Sequence, residues 1–137
     1  MPTDVITGNT TAQNATADNL YSGADDTKIV QADPTINYSS GFDNESLDVH
    51  KYGFGDHAHA LLRFSGLSNI PASSTVSAAT LYIYQKTASG ASYAIDLRRI
   101  LQNWTLSQAT WNIHSTGNNW NTAGCLGAGT DRVSAVS

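Results

Sequence analysis

Ala58-His59-Ala60-Leu61-Leu62-Arg63-Phe64, followed by Ile70-Pro71-Ala72 and then Thr75-Val76-Ser77-Ala78-Ala79-Thr80-Leu81-Tyr82-Ile83-Tyr84, decides the fold class of this chain. In the first run Ala58, Ala60, Leu62 and Phe64 fall on one side, and His57, His59, Leu61 and Arg63 on the other. A period of two is what a half-buried β-strand demands, because successive side chains leave opposite faces of the pleat. Pro71 fixes its own φ and cannot donate to a ladder, so it marks a turn. Thr75–Thr87 then offers the longest strand candidate. The stretch thus reads as two strands joined by a short turn.

The same pattern extends outward in both directions. Thr27–Gln31 reads as a short strand, and Asp33-Pro34-Thr35-Ile36-Asn37-Tyr38-Ser39-Ser40-Gly41 as a dense turn. Ser46–Tyr52 alternates, Gly53-Phe54-Gly55-Asp56 turns the chain, and Ser89-Gly90 turns it again before a strand over Ser92–Arg98. Ile100–Thr110 suits a helical turn or an irregular crossover anchored by Trp104, Asn112–Gly129 is loop-rich, and Arg132–Ser137 resembles the start of a strand. Short strands at even spacing predict an all-β protein, an antiparallel jelly-roll-like β-sandwich. Residues 1–21, rich in Thr, Asn and Ala, read as a flexible N-terminal arm. Residues 22–137 read as the sandwich domain, incomplete at its C-terminal end.

Composition narrows the function classes. A chain of 137 residues can bury a core without disulfide staples. Its single cysteine, Cys125, has no partner to pair with and reads as a small buried hydrophobe. Seven Lys and Arg against eleven Asp and Glu leave a net charge of −4, which gives no basic footprint for nucleic acid or an anionic membrane. Ser, Thr and Asn supply 41 residues and Glu only one, a balance that disfavours long helices. No nucleophile, metalloprotease or phosphate-loop motif occurs, and no carboxylate pair stands out among ten Asp, so the chain is not expected to be an enzyme.

Three blocks together are similar to the DNRLRE-type family of carbohydrate-binding-module-like β-sandwiches. These are the Leu61-Leu62-Arg63-Phe64 strand, the Ile70-Pro71-Ala72 to Leu81 turn and strand, and Trp104-Thr105-Leu106-Ser107-Gln108-Ala109-Thr110-Trp111-Asn112. Asp26-Thr27-Lys28-Ile29 and Asp33-Pro34-Thr35-Ile36-Asn37-Tyr38 resemble the family's opening strand and turn more loosely. The resemblance spans about Asp26 to Val136. It implies a jelly-roll-like, non-catalytic binding or spacer module of secreted bacterial proteins and phage structural proteins. It also implies further strands beyond Ser137, and it places Trp104 and Trp111 in a structural corner.

Candidate sites follow from residue chemistry. Flat aromatics stack on the apolar faces of sugars, which selects Trp120, in a polar loop, with Tyr82 and Tyr84 as ligand-binding residues. Asp25, Asp26 and Asp33, with Asp43 and Asp48 nearby, form an oxygen-rich set for a structural calcium. His57 and His59, with His50 and Asp48, are a weaker metal candidate, more simply read as the solvated face of a strand. Arg63, in an apolar strand beside Phe64, is expected to pair with a carboxylate and serve structure, as Trp104, Trp111 and Phe64 do.

Met1–Leu20 lacks the basic and apolar regions of a secretory signal, and nothing in the sequence is long enough to span a bilayer. With the arm and the unfinished last strand, this favours a virion-surface structural protein, such as a phage capsid-decorating, fibre or tail-associated module, partnered by virion proteins or by copies of itself. The alternative is a carbohydrate-binding module of a secreted polysaccharide-active enzyme. Both readings place the chain on a virion surface or outside the cell.

Overall fold

The structure, a computed structural model, describes residues 23–40, 47–51, 56–65, 71–75, 77–78, 80–83 and 94–135. Among them there is no helix, and the strands pair antiparallel: the chain is all-β. The proposed arm (residues 1–21), Tyr84 and Asp43 lie outside the described residues.

Strand β1 (Ala24–Val30) pairs with β3 (His57–Phe64) from Ala24↔Phe64 to Val30↔Ala58, and β2 (His50–Lys51) pairs with the other edge of β3. Backbone bonds from Ser65 to Gly23 and from Gln31 to His57 extend the ladder by one rung at each end. A second, smaller sheet is the hairpin of β4 (Ile113–Ser115) and β5 (Asn118–Asn119).

The register puts Asp25, Thr27 and Ile29 on one face with Arg63, Leu61 and His59. That face meets the core, where Ile29 and Leu61 pack with Trp104, Ala109, Trp111, Trp120 and Cys125. Covering the sheet is therefore a layer built from residues 100–133, mostly loop, which brings three tryptophans into the core. Each indole buries a large area while its N–H or a neighbouring carbonyl finds a polar partner. The opposite face carries Lys28, buried against the Tyr38 ring at 5.1 Å with its ammonium 2.7 Å from Asp48.

Arg63 joins the layers. Its guanidinium donates twice to Asp25 Oδ2 and, at 2.7 Å, to the Trp104 carbonyl, and it stacks 4.7 Å from the Trp104 ring. A planar fork fits all three tasks where a lysine would fit one.

Two expected strands lie partly outside the described residues, and what is described of them is not strand. Among the described residues of Thr75–Thr87 and Ser92–Arg98 no ladder forms, and Leu81, Tyr82, Ile83, Ile95 and Leu97 are exposed. Alternation favours a strand, but pairing creates one, and no described neighbour offers these segments its backbone. The Pro-marked turn does form, with Ser74 N–H donating to Pro71. At the C-terminal end the expected strand is reduced to a short contact: Leu101 donates to Asp131, and Val133 to Arg99.

Candidate functional site

An open depression of about 390 Å³ lies where the Asp33–Ile36 turn meets the hairpin loop, lined by Thr35, Thr110, Asn112, Ile113, Asn119, Trp120 and Ala123. Its base is tightly wired. Thr110 Oγ1 accepts from the backbone N–H groups of Asn112 and Ile113, and Thr110 N–H donates to the Ile113 carbonyl. Asn112 N–H also reaches the Pro34 carbonyl at 3.2 Å, which ties the loop to the turn. Asn37 holds the turn from behind, with its amide donating to the carbonyls of Leu106 and Ala109 at 2.9 and 2.7 Å.

Trp120 forms the floor. Its Nε1–H donates to the Thr110 carbonyl at 2.9 Å, its N–H to Asn112, and the His114 ring lies 5.3 Å away. The surface position expected for Trp120 is corrected: the residue is 3 % exposed. A loop rich in Asn and Gly does not determine which of its side chains turns inward, and here the indole N–H has an internal acceptor. What faces solvent around it is amide, from the exposed Asn112 and Asn119, and hydroxyl, from the exposed Thr35. Tyr82 is 86 % exposed and does not line the depression.

The members of the expected metal sets are not brought together among the described residues. Among the described residues no three His, Cys, Asp or Glu side chains converge as a metal-binding group. Asp25 and Asp26 are successive strand residues and point to opposite faces. Asp25 is taken by Arg63, and Asp33 Oδ2 accepts from the Tyr38 hydroxyl. His50 pairs with Asp56 instead of joining His57 and His59. Trp104 and Trp111 are buried at 5 % exposure each, whereas Phe64, expected to serve structure, ends β3 at 42 % exposure.

Sequence reasoning missed the residue that organises the loop behind the depression. Asp131 is fully buried, and its carboxylate accepts the backbone N–H groups of Asn121, Thr122 and Gly127 at 2.8–2.9 Å. Cys125, in the same loop, has its pKa pushed up to about 12, first by burial and then by the Asp131 charge, with Arg132 opposing. An aromatic disulfide reagent at about pH 8 is expected to react with the native chain at least about a hundredfold more slowly than with the urea-unfolded chain. Equal rates would show that this loop opens readily.

The family model of carbohydrate-binding module family 96 matches residues 9–124. That span includes all the lining residues of the depression, and it begins within the stretch read as an arm. No curated protein and no solved structure matches the chain.

Proposed function

Because the chain belongs to carbohydrate-binding module family 96, we propose that it is a non-catalytic module that binds a polysaccharide at the depression floored by Trp120. The family match is the observation that carries the reading. The lining supports it: the exposed amides of Asn112 and Asn119 and the Thr35 hydroxyl surround an apolar floor, and binding sites pair apolar surface with a few polar groups in this way. Amides both donate and accept, which suits ligands made of hydroxyl groups. The virion-surface reading drew on the two ends of the chain, and the family match favours its alternative.

Calorimetric titration with a panel of soluble polysaccharides (a neutral β-glucan, xylan, chitin oligomers and a polyuronate) tests the proposal. At least one should bind, and Asn112→Ala and Asn119→Ala should each weaken it by about tenfold, the worth of one good hydrogen bond. Trp120→Ala is unsuitable, since it would hollow the core. Binding that ignores both asparagines would move the site elsewhere, and failure across the panel would refute carbohydrate binding.

A further inference from the structure

The stretch Ala94-Ile95-Asp96-Leu97-Arg98-Arg99 runs without a turn or a bend, and among the described residues nothing pairs with its backbone before Arg99. Which of its edges is open follows from what it joins. The Arg99 carbonyl accepts from Val133 and the Leu101 N–H donates to Asp131, on either side of the Ile100–Arg132 bridge. In extended backbone, successive residues direct their N–H and C=O groups to opposite edges. Leu97, Arg99 and Leu101 therefore face the side of the 131–133 segment, and Asp96 and Arg98 turn their backbone groups to the open side. The side chains of Asp96 and Arg98 share one face, joined by a 3.0 Å ion pair, and Ile95 and Leu97 lie exposed on the other.

We propose that residues 94–99 are an isologous edge, which pairs antiparallel with the same edge of a second copy of this chain around a two-fold axis at Leu97. An open edge beside exposed apolar residues is a template for another strand, and here the charge pattern selects the strand that fits. Two-fold pairing at Leu97 sets Asp96 of each copy against Arg98 of the other, and Leu97 against itself. It also lays Ile95 along the aliphatic stem of Arg99. This register makes Asp96 and Arg98 the hydrogen-bonded pair, which uses the backbone groups on the open side, and leaves Leu97 in a non-hydrogen-bonded pair. Parallel pairing in register would oppose Asp96 to Asp96 and is disfavoured. The Thr80-Leu81-Tyr82-Ile83 stretch is also exposed and unpaired among the described residues, yet it has no charge to fix a register. In each copy Arg98 is steadied by the Ser134 carbonyl. Asp96 accepts from its own Arg98 through Oδ2, so Oδ1 is left for the Arg98 of the other copy.

The test reads self-association and so stands apart from whether a sugar binds. A pair of strands this short buries little area, so the dissociation constant is expected on the order of 100 μM. Sedimentation velocity of the whole chain, from about ten times below that concentration to about ten times above it, should show a monomer passing reversibly into a dimer. A monomer throughout would overturn the proposal. Asp96→Arg and Arg98→Asp each set like charges opposite one another and should weaken the dimer by at least about tenfold. An equimolar mixture of the two variants should regain it, because the two reversals match across the axis. A dimer that ignores both reversals, or a mixture no better than its components, would refute this edge as the interface. Cross-linking reads the register with no change of charge. Leu97→Cys meets its own copy at about 4.5 Å between Cα atoms, within disulfide reach, whereas Ile95→Cys stands well out of step with its copy. Mild oxidation should join the Leu97→Cys chains at least about tenfold faster than the Ile95→Cys chains, with buried Cys125 as the thiol common to both. Equal rates would overturn the pairing.

Discussion

Replacing Asp131 with alanine is expected to lower the free energy of unfolding by about 3–5 kcal/mol, a large share of the stability of a chain this size. The carboxylate has no solvent exposure and closes three backbone bonds, to residues 121, 122 and 127, that lie on both arms of one loop. Bonds to a charged acceptor contribute about 1.5–3 kcal/mol each, and they are not additive because water can enter the space alanine leaves. The backbone of Asp131 adds to the cost of disorder, since its N–H reaches Gly127 and its carbonyl accepts from Leu101. Asp131→Asn is the useful partner variant: it keeps the volume but turns an amide toward N–H groups, and about half the loss is expected. Urea denaturation followed by tryptophan fluorescence measures both. A loss under about 1 kcal/mol for the alanine variant would mean that the loop holds itself.

This dependence on Asp131 was not legible in the sequence, and the reason is physical. A strand announces itself through periodicity, so β1 and β3 were found nearly in place from Thr27–Gln31 and His57–Phe64. A loop knit by one carboxylate has no period, and an Asp among Gly and Thr reads as an ordinary turn residue. The histidines of β3 misled for a related reason. On a half-buried strand a polar residue suggests the wet face, yet His59 and Arg63 point inward, because Trp111 and Trp104 offer flat rings to an imidazole and a guanidinium. Trp120 failed in the opposite sense, drawn to the surface by its polar neighbours and held inside by the Thr110 carbonyl. Asn112 and Asn119 carried a faint signal that went unused: each precedes or follows a tryptophan, the spacing that brings an amide beside an aromatic floor.

Gly124→Ala is expected to cost about 3 kcal/mol, nearly as much as the loss of Asp131, although it adds only one methyl group. Two separate strains account for it. The backbone at Gly124 has φ of +80°, where a side chain costs about 1–2 kcal/mol. In addition, the new Cβ would stand 2.6 Å from two atoms of the Trp111 ring, far inside van der Waals contact. Trp111 cannot simply turn away, since it packs against His59 and its carbonyl holds the Gly124 N–H. Overpacking of a closed core adds about 1–3 kcal/mol. Gly117 separates the two strains, because its φ of +78° is nearly the same but nothing lies within 4 Å of its absent Cβ. Gly117→Ala should therefore cost only the backbone share, about 1 kcal/mol. If thermal or urea unfolding gives the two variants equal losses, the contact with Trp111 contributes nothing and the ring is free to move. A clear excess for Gly124→Ala, together with faster exchange at the Trp120 indole N–H, would show the Trp111–Gly124 contact to be the hinge on which the wall of the depression is hung.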